Sequence, residues 1–197
     1  KKVEAFLWTG DCRPEAEGLA LAAKLGLVSF NGGDNRWDNL YNSMSFIRAL
    51  SRPVPPLEQV YVSAANEDSF TSMWTENFGG FRNVLETFRR TEMPRRLTPV
   101  NIYYHFYSGE RLAALLAVQA VYDWALSQPL CWIHAAEYAR AVEGFHRAKC
   151  GKMPDGAFWI EDFAPCPTVR FDDCELSVDM ARSKGVWGFN RHAGALY

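Results

Sequence analysis

The sequence predicts an α/β chain with parallel strands, followed by a shorter β-rich tail. Three observations carry this reading. Short apolar runs alternate with segments of helical period through most of the chain. Polar, turn-forming residues follow the apolar runs. Beyond residue 152 the helical period stops, and short aromatic runs separated by turns replace it.

Val3-Glu4-Ala5-Phe6-Leu7-Trp8 is apolar and free of Gly and Pro, so it reads as a strand, broken by Thr9 to Pro14. A helix is expected over Glu15 to Leu25, with Leu19, Ala22, Ala23 and Leu25 on one face and Gly26 after its end. Leu27 to Phe30 is a second strand, closed by the turn Asn31-Gly32-Gly33-Asp34. Residues 37–56 are rich in loop formers, including Pro53, Pro55 and Pro56. Val60 to Ser63 is a strand candidate, and residues 66–81 read as a long loop. Asn83 to Arg90 is a short helix, and Asn101 to Tyr107 is a strong strand signal, with Ser108 as a cap for the next helix. The clearest helix is Leu112 to Ser127, with Leu112, Leu115, Leu116, Gln119, Tyr122 and Leu126 on its expected inner stripe. Leu130 to Ile133 reads as a further buried strand. Ala135 to Ala148 reads as a helix with Tyr138, Val142 and Phe145 inward. In the tail, residues 158–160, 168–171 and 186–189 are strand candidates. The expected division is therefore residues 1–152 and a β-rich extension over 153–197.

Bulk properties narrow the function. The 197 residues are 48% hydrophobic, enough for one sizeable core and a small second unit. A net charge of -2 with no Lys/Arg run gives no broad field for nucleic acid, and the doublets Arg89-Arg90 and Arg95-Arg96 read as solvated surface. The opening apolar stretch, Val3 to Thr9, is too short for a signal peptide or a membrane span, and a chain entering a strand so early is expected to be a piece of a longer protein. The five cysteines show no CxxC pair; Cys166 and Cys174 could pair, or all five could be ordinary thiols.

Chemistry-bearing residues cluster after the strands, where parallel α/β folds place their sites. His105 ends an aromatic strand and could exchange a proton near neutral pH, or be a core histidine. Asp11 and Arg13 follow the first strand; Arg13 could orient a carboxylate through its two-pronged guanidinium, or form a surface ion pair with Asp11. Asn31, Asp34 and Asp38 follow the second strand, where Asp34 could orient Arg13 or hold a sugar hydroxyl, or the tetrad could be turn chemistry alone. Trp8, Trp37, Trp74, Tyr103, Tyr104 and Tyr107 could stack on sugar rings or belong to the core. No GxSxG, P-loop, GxGxxG, HExxH or HxxxH pattern occurs, and the four histidines lie far apart.

The order Arg13-Pro14, helix, Leu25-Gly26-Leu27, strand, Asn31-Gly32-Gly33-Asp34, then Tyr103-Tyr104-His105 and a helix resembles the second half of the NodB-type polysaccharide deacetylases. The nearer resemblance is to the deacetylase domain of PelA-type exopolysaccharide-modifying proteins. It rests on Thr9 to Pro14, Asn31 to Asp34, Pro94 to Leu97, Asn101 to Glu110 and Val121 to Leu126, and it runs from about Val3 to Phe145. The resemblance implies the C-terminal part of a distorted (β/α) barrel over residues 1–152, followed by the start of a jelly-roll-like β domain.

It further implies metal-dependent removal of N-acetyl groups from an amino-sugar exopolysaccharide of a biofilm matrix, in the periplasm or outside the cell. His105 would protonate the leaving amine, Arg13 would orient the aspartate base, and Asp34 would belong to the following active-site motif. Asp11, Asn31, Trp37, Tyr103, Tyr107 and Glu137 are the residues expected to hold substrate. The family's metal, expected to be zinc, takes an aspartate and paired histidines for which this chain has no counterpart, so no metal ligand is assigned here. Partners would be the polysaccharide, the missing N-terminal half of the domain, as a separate chain or otherwise, and the exopolysaccharide export machinery. Two rival readings stand beside this one: a catalytically inactive polysaccharide-binding half-domain, and a glycoside hydrolase using Asp34 with Glu137.

Overall fold

The computed structural model describes residues 3–9, 12–32, 34–62, 65–93, 95–96, 98–166 and 168–197. The chain is mixed α/β and divides into two compact units, Lys1–Glu143 and Gly144–Tyr197.

The first unit opens with β1 (Ala5–Trp8), α1 (Ala16–Lys24) and β2 (Val28–Asn31), the strand–helix–strand unit expected from sequence. β1 and β2 pair in parallel, with Ala5 opposite Val28 and Trp8 opposite Asn31. The end of α1 follows from Gly26. At φ +70° it takes the left-handed position, its N–H bonds Ala23 O, and the Leu27 N–H bonds Ala22 O. Leu19 and Ala22 are buried as expected, whereas Ala23 and Leu25 face solvent: Ala23 is turned about 100° from Ala22 around the helix, and Leu25 lies past its end at Lys24.

A hairpin follows: β3 (Ser51–Val54) and β4 (Leu57–Tyr61). The sheet order is β1-β2-β4-β3, with β2 and β4 parallel and β3 antiparallel at one edge. Pro53 hides β3 from a sequence reading, yet proline is tolerated on an edge strand that donates no ladder bond there. β5 (Ala65–Asn66) pairs in parallel with β6 (Ile102–Tyr103), setting Asn66 opposite Tyr103. The strand expected over residues 101–107 therefore shortens to two residues, and Phe106–Glu110 turns into a 3-10 segment.

α2 (Val84–Arg90) and α3 (Leu112–Ser127) pack one core with Ala65, Phe70 and Phe81. α3 reverses an expectation. Its buried residues are Ala114, Ala117, Val118, Val121 and Ala125, while Leu112, Leu115, Leu116, Tyr122 and Leu126 are exposed. The small side chains let the α3 backbone approach Phe81, Val84 and Phe88, which supply the bulk. Ser108 does not cap this helix; Arg111 holds the cap position.

Leu130 to Ile133 is not a strand: among the described residues it has no ladder partner, and Cys131, Trp132 and Ile133 are exposed. In α4 (Ala135–Arg147), Ala139 and Val142 pack against Phe30, Val60 and Val62, and Tyr138 packs partly beside them, but Phe145 is exposed.

The second unit holds two small antiparallel ladders: β7 (Lys149–Lys152) with β8 (Phe158–Glu161), and β9 (Arg191–His192) with β10 (Ala195–Leu196). The strand expected over 168–171 reduces to a single bridge, Phe171 to Leu196, and residues 186–189 form no strand. All five cysteines are free thiols. Among the described residues, no helix is long and apolar enough to cross a membrane.

Candidate functional site

The C-terminal ends of the parallel strands bring the candidate residues forward, and the turn after β1 is the most strongly held of them. Asn31, fully buried at the end of β2, donates from Nδ2 to Cys12 O at 3.0 Å and accepts from Gln59 Nε2. Gln59, also fully buried, donates to Cys12 O at 2.8 Å. Arg52 bonds Gln59 Oε1 at 3.0 Å and Pro14 O at 2.9 Å. The carbonyls on both sides of Arg13 are thus clamped while its side chain is exposed. Asn31 was expected to touch substrate; its amide instead holds this turn from within the fold. Asp11 lies outside the described residues.

The loop after β2 is pinned by a second network. Arg36 pairs with Asp38 at 2.7 Å and lies over the rings of Tyr41 and Phe70, at 4.4 and 4.5 Å. Burial would raise the Asp38 carboxyl, but hydrogen bonds from the Tyr41 and Leu40 N–H groups and from Arg36 outweigh it and hold it below 3.8. The half-buried Trp37 donates its backbone N–H to Thr87 Oγ1 at 3.0 Å, tying the loop to α2. Asp34, exposed at the start of this loop, lies close enough to act electrostatically on Tyr103.

The centre of the site is a residue that the sequence pattern did not single out. Glu67 follows β5 directly and is 1% exposed. Its Oε1 accepts the His105 backbone N–H at 2.5 Å and faces His105 Nδ1 at 2.9 Å. Trp74 Nε1 and Ser108 Oγ each donate to the same oxygen at 3.3 Å. Convergent donors suit an acceptor-only carboxylate, and the ring nitrogen facing it is then the protonated Nδ1. Nε2 is left for other chemistry; among the described residues, nothing bonds it. No strand signal ends before Glu67 in the sequence, where residues 66–81 read as a loop; only the pairing of β5 with β6 sets it just past a parallel strand.

Aromatic rings enclose the histidine. His105 stacks on Tyr107 with centroids 5.1 Å apart and planes 11° apart, meets the edge of Trp74 at 5.1 Å, and lies 5.4 Å from Tyr103. Burial, then the charges of Glu67, Asp68 and Asp34, push the Tyr103 hydroxyl above 10; burial, Glu67, Asp68 and Tyr103 do the same to Tyr107. Asp68 is raised above 3.8, chiefly by burial, with Glu67 adding and Ser69 and His105 opposing. A cavity of about 310 Å3 lies beside Glu67, walled by Trp74, Phe78, Tyr107 and Arg111.

The structure therefore gathers His105, Tyr103, Tyr107 and Asp34 with Glu67, Asp68 and Trp74. Glu137 is engaged elsewhere: it is exposed at the start of α4, and its carboxylate accepts the His134 N–H at 2.8 Å. Among the described residues, no three His, Cys, Asp or Glu side chains are placed to share a metal ion, so those residues do not fit a resident metal. No family model matches the chain, and no curated protein or solved structure matches it.

Proposed function

We propose that this chain is the C-terminal portion of a polysaccharide deacetylase barrel and supplies the proton-donating half of a site that removes N-acetyl groups from an amino-sugar exopolysaccharide. The Glu67–His105 pair, with Nδ1 held at 2.9 Å and no described residue bonding Nε2, carries this reading. Amide hydrolysis consumes one water; the C–N bond breaks, acetate forms, and the sugar nitrogen needs a proton to leave as an amine. His105 gives that proton from Nε2, and Glu67 stabilises the ring cation and fixes its orientation. Tyr103, Tyr107 and Trp74 offer apolar ring faces to the sugar. Arg13, on its clamped turn, and Asp34 complete the chain's contribution. In this reading the metal ligands lie outside this chain, in the other half of the domain, and the protein acts in the periplasm or beyond, alongside exopolysaccharide export.

The test is acetate release from N-acetylated amino-sugar oligomers by the intact protein. His105→Ala is expected to lower the rate by about 10²–10⁴-fold without weakening oligomer binding. An unchanged rate refutes the role. A second reading is a polysaccharide-binding module without catalysis, which the ring faces of Tyr103, Tyr107 and Trp74 around His105 would serve equally. It predicts oligomer binding with no acetate release from the intact protein.

A further inference from the structure

Beside His105 lies a group of acceptors that the proton-donating role does not use. Asn66 and Tyr103 are register partners on β5 and β6, so their side chains leave the ribbon on the same face. Asn66 is 6% exposed, and among the described residues no donor reaches its Oδ1. A buried carbonyl left this way is destabilising, and a ligand N–H entering the cluster would satisfy it. Asp68, next to Glu67 in sequence, bonds the Ser69 hydroxyl at 3.2 Å and is half-buried. Its charge and that of Asp34 both act on Tyr103, and Tyr103 in turn sits 5.4 Å from His105. The cluster therefore combines negative charge, a buried acceptor without a donor and the ring faces of Tyr103 and Tyr107. Anionic groups with aromatic faces are the chemistry that recognises an organic ammonium.

We propose that Asn66, Asp68 and Tyr103, with Asp34, form a subsite for the protonated amine of an amino sugar, so that the site prefers a polymer already partly de-N-acetylated. This deepens the amino-sugar reading above and rests on it. A neutral N-acetyl unit presents an amide and a methyl group; an ammonium presents three N–H donors and a charge, which match these acceptors.

The test is calorimetric titration of the full chain at pH 6 with glucosamine oligomers and with N-acetylglucosamine oligomers of equal length. The amine-bearing oligomer is expected to bind at least ten-fold more tightly, with the preference shrinking as salt rises. Asp68→Asn and Asn66→Leu are each expected to cut that preference several-fold while affinity for the acetylated oligomer holds. Equal affinity for the two oligomers overturns the subsite, as does a preference that survives both substitutions. Should Asn66→Leu not fold, Asp34→Asn, at an exposed position, takes its place under the same criterion. Acetate release by the intact protein, with the half of the domain that carries the metal ligands, separates the two ideas. Preference without release refutes the deacetylase reading alone; release without preference refutes the subsite alone.

Discussion

Replacing Glu67 by glutamine isolates what its charge does at nearly constant shape. Four donors converge on Oε1: His105 N at 2.5 Å, His105 Nδ1 at 2.9 Å, and Trp74 Nε1 and Ser108 Oγ at 3.3 Å. A hydrogen bond to a charged acceptor contributes about 1.5–3 kcal/mol and one to a neutral acceptor about 0.5–1.5 kcal/mol. The loss per donor is then about 1 kcal/mol, and relief of the buried charge's desolvation returns part of it. Glu67→Gln is expected to cost about 2 kcal/mol. Glu67→Ala strands all the donors and opens a hole, and about 4 kcal/mol is expected, as when one partner of a buried pair is removed. Urea unfolding followed by tryptophan fluorescence measures both, with Trp74 as a local reporter. A second readout is specific to orientation. Nitrogen NMR of the parent protein should show the neutral His105 ring protonated on Nδ1, which faces Oε1 at 2.9 Å. A cost below about 0.5 kcal/mol for Glu67→Gln, with the parent's ring proton on Nε2, would mean that the carboxylate neither supports nor orients the histidine.

Two further outcomes can be checked. The Tyr138 hydroxyl is buried without a partner among the described residues, and burial pushes its pKa up to about 12. Tyr138→Phe should therefore raise stability by about 1 kcal/mol; it should also remove a loss of stability between pH 10, where the unfolded chain ionises, and about pH 12, where the folded one does. A destabilised Tyr138→Phe would show that the hydroxyl is satisfied after all. Asp38 is lowered from 3.8, so its stabilising share is complete above that pH and is lost as pH falls through its folded value. Asp38→Asn should be less stable at pH 7 and lose less on acidification than the parent; parallel acid-unfolding curves would contradict this.

The position of His105 was legible because a long apolar strand signal leads into it, and the strand-end rule needs only local pattern. The close of α1 was legible for a similar reason: Gly26 alone among its neighbours takes φ +70° without strain. Glu67 was not legible as a partner, since its 38-residue separation from His105 is closed only by the β5–β6 pairing. Asn31 misled in the other direction. A polar residue at a strand end reads as a binding group, but Gln59 and Arg52, reached only through β3 and β4, convert it into a buried clamp. In α3 both faces are apolar, so periodicity could not choose between Leu115 and Ala117; the bulk of Phe81 and Phe88 chose alanine.

Local chemistry thus determined from sequence alone that strands and helices alternate, where α1 ends, and that polar residues crowd the strand ends. These features depend on backbone conformation and on residues within a turn of one another. Tertiary structure decided which helix faces are buried, that residues 130–133 form no strand, and that Glu67 holds His105. Those outcomes depend on which distant surfaces fit together at close packing, and on where a buried acceptor finds its donors. Neither is encoded in spacing along the chain.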